Sequence, residues 1–333
     1  MKKKLTALSC VSLLVLMLSG CSKGNNMTNK MYTEETMNHF YSDKIAIDDI
    51  SKIEIESNYA DFEIIASDAY YVEYSYYYIN NEPKLTVNDH TLTFSDYGMN
   101  TGNYSINQKE KNYFKVYVPT TNEFESVSIN KSSGDCNIGT IITDQLSLTN
   151  HYGDTIVANC QVNKMETDIA SGNIGIKNCK IQNLSIKNAY GGVELDSIND
   201  SLRWMDSLEV KMSSGNLELS NLFCKEMELD NSYGTNEIEN CAIGKLEGEF
   251  DSGDVTLSHT LTDDISMDNS YGNINLNLIG READYRFDIK SDYGSVKIGD
   301  STYEGSALID RGGKKSIELK VSSGDVEISF EEQ

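Results

Sequence analysis

Along most of this chain apolar and polar residues alternate in short runs, and a glycine interrupts them at regular intervals. Glycines preceded by Ser or Tyr stand at Gly134, Gly153, Gly172, Gly191, Gly215, Gly234, Gly253, Gly272, Gly294 and Gly324, with spacings of 19, 19, 19, 24, 19, 19, 19, 22 and 30. With the glycine as zero, apolar residues fall seven and five positions before it, as at Leu184 and Ile186. They also fall two and four after it, as at Val193 and Leu195. A period of two marks strands with one face turned inward. Each unit therefore reads as strand, glycine bend, strand and polar turn. Glycine suits the bend because it tolerates positive φ, and the Asp or Asn that usually follows suits a turn. So small a unit must stack on its neighbours to bury its apolar face. The prediction is all-β: a parallel β-helix-like solenoid of about 19-residue repeats over residues 126–333. Some eleven rungs would make a rod of roughly 50 Å. The spacing leaves open whether nineteen residues or thirty-eight close one coil. An earlier copy, residues 53–64, carries Ala60 where the glycine is expected.

A second pattern overlies the first. Units alternate between Ser-Gly and Tyr-Gly through Ser133, Tyr152, Ser171, Tyr190, Ser214, Tyr233, Ser252 and Tyr271. Two positions earlier the Tyr units carry Asn150, Asn188, Asn231 and Asn269, whereas the Ser units carry Ile169, Met212 and Phe250, with Lys131 as the exception. Large and small side chains thus trade places, which suggests volume compensation in the core, each Tyr filling space that Ser neighbours leave open. On that reading Tyr190→Ser opens a cavity and lowers the melting temperature by several degrees. The Asn side chains are expected to bond backbone groups at the bend.

The first twenty residues belong to another class. Lys2, Lys3 and Lys4 precede an apolar stretch, Leu5 to Leu18, that is too short to span a membrane, and small residues follow it. This is the form of an export signal. The run Leu18-Ser19-Gly20-Cys21 resembles the bacterial lipobox. That resemblance implies a lipoprotein signal peptide over 1–20, cleavage before Cys21, a lipid anchor of diacylglycerol on its thiol together with palmitate, and a body held outside the cell membrane. Residues 21–44 read as a flexible tether with a short helix around Thr33 to Phe40, and residues 45–125 as an N-terminal β cap. Six tyrosines lie between Tyr70 and Tyr78. A capping strand pair is the favoured reading there, and a contact surface the alternative.

Composition narrows the partners. Twenty-eight Lys and Arg face 52 Asp and Glu, a formal charge of −24, and the signal segment removes three of the lysines. Such a surface repels nucleic acid and anionic membranes and favours cationic partners. Candidate chemistry is thin. His39, His90, His151 and His259 fall in unrelated contexts, and no nucleophile elbow, zinc motif or phosphate loop occurs. No catalytic residue, metal site or cofactor is assigned. Cys160, Cys179 and Cys241 each lie seven after a bend glycine, at an inward position, so buried thiols are expected. A disulfide between Cys160 and Cys179 is the alternative in an exported protein. The acids and amides after the glycines, Asp135 and Asp154 above all, could form a calcium ladder, but ordinary turns are the better reading.

Several segments resemble the adhesin-like β-strand-repeat family known as domain of unknown function 4097 (DUF4097). They are Ser322 to Ile328, its equivalent Ser132 to Ile138, the opening Ile53-Glu54-Ile55, and the strand Val116-Tyr117-Val118-Pro119. Asp284 to Lys297 looks like that family's last long rung before the C-terminal one. The likeness covers about Ile45 to Phe330, and Tyr replaces Ser in half the rungs. It implies a right-handed parallel β-helix-like stack and no particular activity. The expected function is a non-enzymatic, lipid-anchored envelope binding protein that contacts an envelope or host protein or a glycan. The alternative is an envelope sensor or scaffold that captures cationic peptides or ions.

Overall fold

The structure, a computed structural model, describes residues 30–96, 104–107 and 111–332. Cys21 and the export signal lie outside them. The fold is all-β and solenoid-like. In the array each rung contributes a long strand, such as Gln161–Ser171, then a glycine bend and a short strand, such as Ile174–Lys177. Long strands pair in parallel with long strands and short with short, and register partners in the regular part lie nineteen residues apart. Leu146 pairs with Met165 and Met165 with Leu184, while Thr155 pairs with Ile174. One nineteen-residue unit therefore closes one coil, because thirty-eight would bring Leu146 opposite Leu184.

The inward positions of both strand stacks meet in one continuous core that runs from Ile50 to Ile328. Period-two alternation places these residues there, and hydrophobic burial holds the rungs together. The outward faces carry cross-rung ion pairs such as Lys177 with Glu194 at 2.6 Å and Lys297 with Glu327 at 2.6 Å. Exposed pairs of this kind stabilise little.

A coil has two corners. The hydrophobic pattern marks the glycine corner only. The other turns on residues in left-handed conformation, chiefly Asn159, Asn178, Asn221 and Asn240, with φ between 53° and 58°. Asn tolerates that region better than other side chains. Its recurrence at 159 and 178, and again at 221 and 240, was the available signal.

Both ends depart from the sequence reading. Residues 30–33 and 38–46, expected within a flexible tether, form strands. Asn38–Ala46 pairs antiparallel with Tyr71–Tyr78, and between the two strands lies only a three-residue 3-10 turn, Glu34–Thr36, in place of the expected helix. Residues 52–57 and 60–67 fall within the span 45–125 assigned to the cap but are a rung of the array, in keeping with the earlier copy at 53–64, since Ile55 pairs with Ile129 and Ile64 with Ile138. At this end pairing turns antiparallel, Tyr71–Tyr78 lying against Asn112–Pro119. Tyr74 and Tyr76 are buried there, so part of the tyrosine run is core.

At the other end sequence order and spatial order differ. The last segment, Lys315–Ser323 with Val326–Glu331, lies between the rung ending at Ile279 and the rung Tyr285–Ile298. The strand Ser301–Ile309 folds back on Tyr285–Ile298 antiparallel and allows the chain to return.

Candidate functional site

The bend glycines form a stack along one edge of the solenoid. Gly134, Gly153, Gly172, Gly191, Gly215, Gly234, Gly253, Gly272 and Gly324 have φ between +98° and +154°. Gly294 joins the stack on Gly324 without that conformation. A Cβ on any of them would strike the carbonyl group of the residue one rung away, which is a glycine everywhere except below Gly134, where Ala60 stands. Two constraints therefore coincide, a backbone region open mainly to glycine and a backbone approach too close for any side chain.

Next to that close approach, the buried Asn of the Tyr rungs donates to the glycine carbonyls at the bend. Asn188 Nδ2 donates to Gly172 O one rung away and to Gly191 O of its own rung, both at 3.1 Å. Asn150 Nδ2 does the same for Gly134 O at 2.9 Å and Gly153 O at 3.3 Å. Asn231 donates to Gly215 O and reaches the second carbonyl through Asn236, whose Nδ2 donates to Gly234 O. One primary amide has two N–H donors. It can serve two rungs, so every second rung is free to carry an apolar residue in that column. Ile169, Met212 and Phe250 occupy those rungs and are buried. Lys131, the apparent exception, is also buried and lends its stem to the same column, while Nζ donates to Asp135 O. Burial holds its ammonium below the usual lysine range.

Beside this column the expectation of tyrosine in the core is overturned. Tyr152, Tyr190, Tyr233 and Tyr271 are 61–65 % exposed and Tyr293 is 82 % exposed. The compensation of volumes is real but confined to the inward column, where small Asn alternates with large neighbours. Outside it, the spatial order is Tyr152, Ser171, Tyr190, Ser214, Tyr233, Ser252, Tyr271, Ser323, Tyr293. In the chain Tyr293 precedes Ser323; the swapped final rungs restore the alternation in space. Ser133 and Tyr59, which precede the stacked Gly134 and Ala60, continue the same column at the other end.

The position after each glycine, considered above for calcium, stitches rungs together instead. Asp154 Oδ1 accepts from the backbone N–H of Asn173 at 2.8 Å, Asn173 Oδ1 from Gly192 N–H at 2.9 Å, and Asp254 Oδ1 from Asn273 N–H at 2.7 Å. Among the described residues no group of three or more His, Cys, Asp or Glu is placed to hold a metal ion. Next to this column lies an open depression of about 620 Å³, where Gly175 and Gly192 carry no side chain and Asp154, Asn173, Glu194 and Glu218 form the walls.

All five described cysteines are free and buried. Cys160 and Cys179 stack in adjacent rungs and each donates to a backbone carbonyl, Ala158 O at 3.3 Å and Lys177 O at 3.2 Å. Burial pushes the thiols of Cys136 and Cys241 up to about 11 and that of Cys224 to about 12. Reactivity belongs to the thiolate. Cys136, Cys224 and Cys241 of the native protein are therefore expected to resist a maleimide at neutral pH and to react once denaturant is added; mass spectrometry of the labelled peptides reads the difference. Uptake by any of the three in the native fold at the rate of a free thiol would contradict this.

One buried polar cluster lies at the N-terminal rung of the array. Tyr76 Oη donates to Asp96 Oδ2, Ser57 lies 2.9 Å from Tyr76 Oη, and the Asn58 N–H donates to Asp96 Oδ1 at 2.6 Å. Burial raises the Asp96 carboxyl above the usual range, and these hydrogen bonds counter it in part. Ser57 occupies the inward column that Asn fills elsewhere, so the cluster reads as the terminal rung's solution to the same buried polar positions.

Among the described residues no helix is long and apolar enough to cross a membrane. No curated protein matches the chain. Solved structures resemble it weakly. One is a candidate lipid-binding protein from Parabacteroides distasonis, 17 % identical, covering 91 % of this chain and 100 % of its own, with a TM-score of 0.43. A candidate adhesin of the same organism is 13 % identical over 90 % of this chain and 100 % of its own, TM-score 0.37. Another from Bacteroides fragilis is 15 % identical with the same coverage, TM-score 0.34. The Toastrack DUF4097 family profile matches residues 50–203 and 201–329. Together these two stretches take in nearly every rung of the glycine-stacked array, and the chain belongs to the Toastrack DUF4097 family.

Proposed function

We propose that this protein is a non-catalytic binding module of the bacterial envelope, held at the outer face of the cell membrane by acyl chains on Cys21. The antiparallel strands around Tyr71–Tyr78 serve as its terminal cap. The observation that carries the binding reading is the exposed tyrosine column. Its rings lie outside a core that is complete without them, in single file on a regular scaffold. Aromatic side chains expose apolar area at small entropic cost and are favoured in contact surfaces. A second reading, capture of cationic peptides or ions, is favoured by the net charge of −24. Salt separates the two, since a charge-driven ligand is lost as ionic strength rises.

The anchor is tested by detergent phase partition after expression with the native export signal. The wild type is expected in the detergent phase and Cys21→Ser in the aqueous phase, because burying two acyl chains at about 0.8 kcal/mol per methylene outweighs the solubility of the body. Wild-type protein in the aqueous phase would remove the anchor. The binding reading is tested by retention of labelled Cys21→Ser protein on isolated envelopes, which should survive high salt.

A further inference from the structure

We infer that the tyrosine column is a track for an extended, neutral β-1,4-linked glycan, each ring stacking on one disaccharide; this rests on the envelope-binding reading above. Nothing inside the solenoid calls for Tyr in every second rung. The Asn amides explain the inward alternation, and Ser occupies the same outward site in the intervening rungs. The alternation also survives where the chain order breaks it, at Tyr271, Ser323 and Tyr293. It is therefore a property of the assembled edge. Rungs about 4.8 Å apart place successive rings about 9.6 Å apart. A β-1,4-linked glycan in its extended form repeats every two sugars over close to that length, presenting a C–H face for each ring to cover.

The flank fits the same ligand. Past the bend, on the short strands, lies the depression lined by Asp154, Glu194 and Glu218 together with Lys177, which is paired to Glu194. Carboxylates are acceptors only, and sugar hydroxyls and N-acetyl amides supply the donors. The net charge of −24 repels anionic polymers and so excludes acidic glycans. A polyproline helix repeats every three residues over about 9.3 Å, but it docks into grooves lined by aromatics, and a single-file column separated by serines offers steps rather than grooves.

The test is calorimetry of the mature protein with N-acetylglucosamine oligomers of two, four and six sugars. Each added disaccharide is expected to tighten Kd about three- to tenfold, the worth of one more aromatic contact. Tyr190→Ser with Tyr233→Ser should weaken the hexasaccharide at least about tenfold. Tyr190→Phe should keep most of the affinity, and Tyr41→Ser, an exposed tyrosine off the column, all of it. The melting temperatures should not move, because the replaced rings are outside the core. The inference is overturned by absence of saturable hexasaccharide binding, by affinity independent of length, by a fall in melting temperature that accounts for the lost binding, or by a proline-rich peptide occupying the column instead. Retention on envelopes without glycan binding sinks this inference alone; loss of retention sinks the binding reading with it.

Discussion

Gly215→Ala is expected to destabilise the protein by at least about 3 kcal/mol and to lower its melting temperature by about 5 °C. Gly215 lies at φ +141°, and a Cβ there would press into the carbonyl oxygen of Gly191, far inside van der Waals contact. The conformational penalty alone is about 1–3 kcal/mol. The clash adds to it, because neither backbone can move without shifting the ladders of both rungs: Leu208 is paired with Leu184, and Leu217 with Val193. Gly175→Ala is the control. That glycine has open space around its Cβ position and no positive φ, so its change should stay within about 0.5 kcal/mol. Thermal unfolding of the two variants side by side checks the claim. Equal melting temperatures would mean that the glycine stack does not constrain the fold.

Asn188→Asp is expected to cost several kcal/mol at neutral pH and to recover partly in acid. The exchange keeps shape but removes both N–H donors, so the carbonyl oxygens of Gly172 and Gly191 lose their partners and face a carboxylate. An unsatisfied buried group costs about 1–3 kcal/mol, and an unpaired buried charge more. Burial and the carbonyls must raise the new carboxyl in the folded state above its unfolded value near 3.9. The folded form then binds more protons between the two values, so stability falls as pH rises through that window and returns as pH drops below it. Protonation also supplies one O–H donor. Urea unfolding at pH 4 and pH 7 reads the effect. A variant no less stable at pH 7 than the wild type, or one whose stability rises with pH, would contradict the bridging role given to the amide. Asn150 and Asn269 should behave alike, since each donates to the glycine carbonyl one rung away.

The sequence by itself determined the strands, the bend glycines and the inward face, because period two and the demands of a positive-φ bend are local and repeat in every unit. It determined the inward place of Cys160, Cys179 and Cys241 for the same reason. It also pointed to Asn as the residue that binds the bend, though not to the economy by which one amide serves two rungs. The tertiary structure decided which residues face water at the edge. Tyr and Ser sit beside the glycine, where strand alternation gives way to a bend, so the period could not say whether the ring turned in or out. It decided that residues 38–46 form a strand, because Tyr71–Tyr78 lies beside them, a partner that no local pattern identifies. It decided, finally, that the C-terminal segment slips between two earlier rungs. Spatial neighbours across a solenoid are set by pairing and burial rather than by chain order, and only that pairing shows the exposed tyrosines as one unbroken alternating column.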